Sequence, residues 1–175
     1  MKSTNRTVVA LLIVMVLMLL GACTPGTAYV DKMAGLKNKM DVTVDKMEKE
    51  GDRLVLLSEV WRDEVVNRAP GVSLDDLQPR IEKEFKRIEG LSEDTLDISA
   101  DAAALTPPEG MEDYHRTALL ALRNAEVGMD KYMSVVYARA AILPSLDWAA
   151  KSATEWRYAM DNYEKVWADA ESMLE

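Results

Sequence analysis

The chain is poor in the residues that most often build chemical sites. Its 175 residues include one Cys, one His, one Phe, 8 Gly and 6 Pro. A single Cys forms neither an intramolecular disulfide nor a CxxC redox centre, and a single His cannot supply a multi-histidine metal site. The low Gly and Pro counts argue against a turn-rich β-sandwich and against long disordered tracts. We therefore expect one small helical domain with an acidic surface.

The first residues have the pattern of an export signal. Lys2 and Arg6 stand beside an unbroken apolar run, residues 8–20, and small residues follow it. A transmembrane helix needs about 20 apolar residues, whereas the core of a secretory signal is shorter. A run of 13 residues therefore predicts a signal peptide and not a membrane span.

The end of this run, Leu20-Gly21-Ala22-Cys23, resembles the lipobox of bacterial lipoproteins. The resemblance implies cleavage between Ala22 and Cys23 and a covalent diacylglyceryl and acyl lipid on Cys23. It implies a lipid-anchored, extracytoplasmic protein of the cell envelope, with residues 1–22 as signal peptide. We expect residues 23–28 to be a short tether and residues 29–175 to form one helical-bundle domain. An ordinary signal peptide with an incidental cysteine is the alternative.

The residue after the cysteine bears on which membrane is used. Many enterobacterial lipoproteins kept at the inner membrane have Asp at that place, and this chain has Thr24. The resemblance therefore implies the outer membrane in a host with two membranes, and otherwise the outer face of the plasma membrane.

The net charge of the chain limits the classes of partner that it can bind. Loss of Lys2 and Arg6 with the signal leaves 19 basic and 30 acidic side chains, a formal charge of −11. Such a chain is not expected to bind nucleic acid, because phosphates repel it. An anionic lipid surface repels it as well, so the lipid on Cys23 has to hold it at the membrane.

Sparse turn signals divide the rest of the chain into four segments rich in Ala, Leu, Met, Glu and Lys. The signals are Thr24-Pro25-Gly26, Ala69-Pro70-Gly71, residues 106–110 and Pro144-Ser145. Short connections between long helices predict an all-α fold, an antiparallel up-down four-helix bundle. A pair of long hairpins that complete their core as a homodimer is the alternative.

Apolar residues recur at spacings of three and four, as on the buried face of a bundle helix. The stripe of the first segment weakens at Gly51, which predicts either a bend or a close helix approach. The predicted core stripes are Met33, Leu36, Met40, Val44, Met47, Leu54, Leu57, Trp61 and Val65; Met111, Tyr114, Ala118, Ala121, Leu122, Ala125, Met129, Tyr132, Val135, Val136 and Leu143; and Leu146, Ala149, Ala153, Trp156, Met160, Tyr163, Trp167, Ala170 and Leu174.

The second segment has the weakest pattern. Ser73 is a candidate cap, and Pro79 places the start of the regular helix at that residue. Its apolar face comprises Ile81, Phe85, Ile88 and Leu91. The sequence from Gly90 to Asp94 predicts a break and restart, and therefore a kinked second helix.

His115 and two methionines are the weak ligand candidates. Glu112 and His115 form a Glu-x-x-His motif, but di-iron bundles need a second such motif. A haem ligated by His115 and a Met, or copper(I) held by Met129 and Met133, is chemically allowed. Because Met133 lies off the main stripe, that pair is expected to face partly outward. Core packing for the methionines and a half-buried His115 are the favoured interpretations, with no metal and no cofactor beyond the lipid.

Two aromatic residues of the last segment fall outside its stripe. Trp148 and Tyr158 would then form an apolar island on an acidic surface, and such aromatics are enriched at binding hot spots. The alternative is that the Trp148 ring folds over a neighbouring helix. No catalytic residues are predicted, because no acid, base and nucleophile combine. The chain is expected to be a non-enzymatic, lipid-anchored bundle that binds or scaffolds an envelope protein partner. The alternative is a bundle that carries haem, a soft metal or another ligand.

Overall fold

The protein is a helical bundle. The computed structural model describes residues 25–67, 74–141 and 144–175, and these ranges contain four helices and no strand. Helix α1 spans Pro25–Asn67, α2 Leu74–Ala103, α3 Glu112–Ala140 and α4 Leu146–Ser172. Within these ranges, no helix combines the length and the hydropathy needed to span a bilayer.

The predicted signal peptide, its cleavage site and Cys23 lie outside the described residues. Helix α1 already begins at Pro25, so residues 25–28 of the predicted tether are helical. Within the described ranges, the core of the bundle includes residues from Tyr29 onward.

The core follows the predicted stripes through the middle of the helices. Met33, Met40, Met47 and Leu54 of α1 are fully buried. They pack with residues of the other helices that differ widely in size, among them Ala118, Ala121, Leu122, Ala125, Met129, Tyr163 and Trp167. Because Met is unbranched and flexible, it fills the irregular spaces between such unequal neighbours.

The core positions predicted from the stripes are wrong at the ends of the bundle. Val65 is 40% exposed, Leu146 is 72% exposed and Leu174 is 42% exposed, although each was predicted to be core. These residues lie in the last turns of α1, the first turn of α4 and the C-terminus. A helix end has fewer neighbouring helices to cover it, so a periodic position there stays in contact with solvent.

Helix α2 differs from its prediction in two ways. It begins at Leu74 and not at Pro79, so the proline removes one backbone hydrogen bond inside the helix. The predicted break between Gly90 and Asp94 is absent, because the helix is continuous there. Thr95 is buried in this part of the helix, and its hydroxyl donates to the Ser92 carbonyl of the preceding turn at 2.7 Å.

Gly51 marks a close approach of α1 and α3, one of the two outcomes predicted for it. A Cβ atom at Gly51 would lie 2.6 Å from the hydroxyl oxygen of Tyr132 and 2.8 Å from Cγ2 of Val136. The Tyr132 hydroxyl donates to the backbone carbonyl of Glu48 at 2.8 Å. Only a residue without a side chain lets α3 lie this close.

Helices α1 and α4 stand further apart. Among the described residues, no Cα of α1 comes within 8 Å of a Cα of α4, whereas α3 packs directly against both helices. Gly128 allows the close contact of α3 with α4, because a Cβ atom there would lie 2.8 Å from the sulfur of Met160. The gap between α1 and α4 is therefore spanned by side chains alone, and their sizes decide whether it is filled.

Candidate functional site

One end of the gap between α1 and α4 is filled by two large aromatic residues. Tyr163 and Trp167 of α4 are buried, and the Tyr163 hydroxyl donates to Asp41 of α1 at 2.5 Å. The ammonium of Lys37 lies 5.5 Å from the Tyr163 ring centroid and 5.8 Å from that of Trp167. The same ammonium pairs with Asp41 at 2.8 Å. We call this region the closed end.

Burial raises the pKa of Tyr163, and the hydrogen bond to Asp41 and its negative charge raise it further. The phenol therefore remains a neutral donor to Asp41 at all physiological pH values. The Trp167 indole N–H is satisfied as well, because it donates to Glu171 at 2.7 Å. The closed end is thus a packed and hydrogen-bonded contact between α1 and α4.

The other part of the gap is open. It contains a cavity of about 340 Å³, which we call the α1–α4 groove. Ala149 and Ala153 face it from α4, where the closed end has Tyr163 and Trp167. The residues that give the groove its chemistry are Glu48 and Asp52 of α1, Tyr132 and Arg139 of α3, and Trp156 of α4.

Aromatic rings line the groove on the α3 and α4 sides. The ring centroids of Tyr132 and Trp156 are 4.9 Å apart, with the planes tilted by 50°. The indole Nε1 of Trp156 is buried and has no hydrogen-bond partner among the described residues. Buried indole N–H groups usually have an acceptor. The Trp156 ring is therefore held by packing alone.

Three charged side chains of the groove have no partner within the described part of the chain. Glu48 and Asp52 lie one turn apart on α1, and no ion pair or side-chain hydrogen bond engages either carboxylate or the guanidinium of Arg139. Burial raises the pKa of Glu48, and the negative charges of Asp45 and Asp52 raise it further. The groove therefore combines two carboxylates, one guanidinium, two aromatic rings and small apolar side chains.

His115 lies at the end of the bundle where α1 and α3 begin. It is half-buried, and its Nδ1 is hydrogen-bonded to the Tyr29 hydroxyl. The ring of Tyr29 also packs edge-on against Tyr114, with centroids 6.3 Å apart. The favoured interpretation of a half-buried, hydrogen-bonded histidine is confirmed.

Of the weak ligand candidates, His115 lies far from Met129 and Met133, which are one turn apart on α3. His115 precedes Met129 on the same helix by 14 residues, which is about 21 Å along the axis. Met129 and Met133 are both buried in the core, so the expectation that Met133 faces partly outward is wrong. Met133 is part of the same core cluster as Met129. No group of three His, Cys, Asp or Glu residues suited to a metal ion occurs in the described ranges.

The two aromatic residues predicted to lie outside α4 are exposed, Trp148 by 49% and Tyr158 by 70%. They do not form one island, because ten residues separate them by about 15 Å along the helix and about 80° around it. The strip between them carries Lys151 and Glu155, whose charged groups are 3.9 Å apart. Each ring therefore stands beside charged neighbours.

Trp148 belongs instead to an apolar end of the bundle. The guanidinium of Arg62 donates to the carbonyls of Arg139 at 2.8 Å and Ala141 at 3.0 Å, which places the last turns of α1 beside the end of α3. Helix α4 begins five residues after Ala141. Among the described residues of this region, Val60, Val65, Leu146 and Trp148 are apolar and exposed, and we call it the Trp148 end.

The groove was not foreseen from the sequence. Trp156 and Tyr132 were predicted as core positions, and Glu48, Asp52 and Arg139 stood out in no motif. The available signal was the change of residue size along the α4 stripe, from Ala149 and Ala153 to Tyr163 and Trp167.

The geometry defines a class of structure, an all-helical bundle with an aromatic-lined groove and an exposed apolar end. Comparisons with protein-family models, with curated proteins and with solved structures find no match for this chain. Its function therefore has to be inferred from its own residues.

Proposed function

We propose that this protein is a lipid-anchored, non-enzymatic helical bundle of the cell envelope that binds or scaffolds a protein partner. One observation carries the proposal. The lipobox-like Leu20-Gly21-Ala22-Cys23 follows a short apolar run, and helix α1 begins two residues later, at Pro25. A lipid on Cys23 would attach the bundle to a membrane with almost no intervening tether.

The resemblance also gives the location. The protein is expected on the outer membrane of a host with two membranes, because Thr24 replaces the retention-type Asp, and otherwise on the outer face of the plasma membrane. The formal charge of −11 that remains without residues 1–22 leaves the acyl chains as the main source of membrane affinity.

We infer that the helices alternate in direction. Tyr29 meets His115 near the starts of α1 and α3, and Arg62 meets Ala141 near their ends, which supports a parallel α1 and α3. Contacts of Arg53 with Glu84 and of Lys131 with Glu155 support antiparallel neighbours. A mild bend of α2 is part of the proposal, since hydroxyl-to-carbonyl bonds such as that of Thr95 often bend helices.

This arrangement puts the Trp148 end far from the anchor. Helix α1 carries the chain about 55 Å from Pro25 to Arg62 at 1.5 Å per residue. The exposed Trp148 and Leu146 would then face away from the membrane, where they are accessible to another envelope protein. Large exposed aromatics carry much of the binding energy at protein interfaces.

Substitution of the cysteine tests the anchor. We expect Cys23→Ser to yield an unprocessed or unlipidated precursor that leaves the lipoprotein fraction, because the thioether cannot form on a hydroxyl. The measurement is intact mass together with membrane fractionation, and Thr24→Ser is the matched control. An unchanged mass and unchanged fractionation of the Cys23→Ser protein would refute the anchor.

Site-specific photo-crosslinking in the native envelope tests the partner surface. A photoreactive residue at position 148 should give a discrete protein adduct, and one at Leu120, which is exposed on α3, should not. We further expect Trp148→Ala to weaken capture of that adduct's partner without changing the thermal midpoint, whereas Tyr158→Ala, which lies outside the Trp148 end, should leave capture unchanged. Equal adducts from both positions, or none from position 148, would contradict the assignment.

A further inference from the structure

We propose that the α1–α4 groove binds a small zwitterionic amine, with its ammonium group between Glu48 and Asp52 and its carboxylate at Arg139. The proposal concerns a site separate from the lipid anchor and from the Trp148 end. It stands or fails independently of the function proposed above.

The cationic part of the ligand is indicated by the two carboxylates and the rings. Glu48 and Asp52 face the same groove from one helix face and have no cationic partner in the described ranges. Tyr132 and Trp156 line the groove beside them. Aromatic rings together with carboxylates are the usual surroundings of an ammonium group, which is attracted to the face of each ring.

The anionic part is indicated by Arg139. Arg139 lines the same groove, is exposed and pairs with no carboxylate of the described chain. A guanidinium presents parallel N–H donors that match a carboxylate in a bidentate contact. A simple organic cation would be repelled by Arg139, whereas a zwitterion satisfies all three charged side chains at once.

The size and the charge of the groove narrow the class of ligand further. A cavity of about 340 Å³ is at the small end of ligand pockets, so an amino acid or a betaine fits better than a nucleotide. Two carboxylates and one guanidinium give the groove a net negative charge, which disfavours anionic ligands. Ala149, Ala150 and Ala153 provide an apolar wall that accepts the methyl or methylene groups of such a molecule.

The Trp156 ring can reorient around a ligand without losing a hydrogen bond. Its indole N–H has no acceptor among the described residues, so a small reorientation of the ring breaks no hydrogen bond. The closed end differs in this respect, because the Trp167 N–H and the Tyr163 hydroxyl are both engaged.

Isothermal titration of the mature protein in detergent tests the proposal with three probes. Glycine betaine and L-proline each carry an ammonium and a carboxylate, and choline carries the ammonium alone. We expect saturable 1:1 binding of at least one of the zwitterions and binding of choline at least tenfold weaker. Absence of saturable zwitterion binding, or choline binding as tight as that of the zwitterion, would overturn the proposal.

Variants assign the binding to the groove. Glu48→Gln together with Asp52→Asn should weaken zwitterion binding at least tenfold, and Arg139→Gln should remove the preference over choline. Asp94→Asn with Asp97→Asn makes the same charge change on α2, where neither residue lines the groove, and should leave binding unchanged. Circular dichroism verifies that each variant is folded. Undiminished binding in the Glu48 and Asp52 variant would place the ligand elsewhere and contradict the proposal.

Discussion

The two parts of the gap between α1 and α4 are built on the same pair of helices and differ in what fills them. At the closed end, Tyr163 and Trp167 are buried and their polar atoms reach Asp41 and Glu171. In the α1–α4 groove, Ala149 and Ala153 leave a cavity of about 340 Å³. The Trp156 N–H beside it has no partner in the described ranges.

This difference shows that helix spacing alone does not create the groove. Helix α3 fixes the positions of both neighbours, through the close approaches at Gly51 and Gly128. The resulting gap between α1 and α4 is filled where α4 supplies large side chains and is left open where α4 supplies alanine. Stability should therefore depend strongly on the closed end and weakly on the groove.

Removal of the largest side chain from the closed end should have the greatest effect. Trp167 is 2% exposed, so Trp167→Ala should lower the free energy of unfolding by about 3–5 kcal/mol through the cavity it leaves. Trp148→Ala is the matched control at a half-exposed position and should cost about 0.5 kcal/mol or less. Urea unfolding followed by circular dichroism measures both.

Similar losses of unfolding free energy in Trp167→Ala and Trp148→Ala would contradict the difference between the packed closed end and the exposed surface. A large loss at Trp148 would show that its ring is a core element and would remove it from the proposed partner surface.

The close approach that sets the gap gives a second, smaller effect. Gly51→Ala places a methyl group within 3 Å of Tyr132 and Val136, and such overpacking costs about 1–3 kcal/mol. Gly35 lies on the same helix with nothing within 4 Å of the added methyl group. Gly35→Ala should therefore stabilise the protein by about 0.5–1 kcal/mol. Thermal unfolding midpoints that rise for both variants would contradict the close contact.

The sequence was sufficient to predict the middle of the bundle. Burial of Met33, Met40 and Met47 follows from a spacing that repeats along one helix, and the weakened stripe at Gly51 predicted either a bend or the close approach that the structure has. Both are local properties, because the helical period fixes which residues share a face.

Other features depended on partners distant in the sequence. Tyr29 bonds to His115 across 86 positions, and no spacing within one helix reveals such a pair. The exposure of Val65 and Leu146 depends on where neighbouring helices end. The groove depends on the gap between α1 and α4, which periodicity within each helix does not report.

The central claim is that the groove is open, whereas the rest of α4 is packed against its neighbours. A pair of identical substitutions, one in each place, tests this claim most directly. Ala153 lines the groove, whereas Ala159 is 6% exposed and lies against Gly128. We expect Ala153→Leu to leave the free energy of unfolding within about 0.5 kcal/mol of the parent value. Ala159→Leu should lower it by about 1–3 kcal/mol, because the contact there has no room for a larger side chain. Equal losses in urea unfolding would contradict the claim.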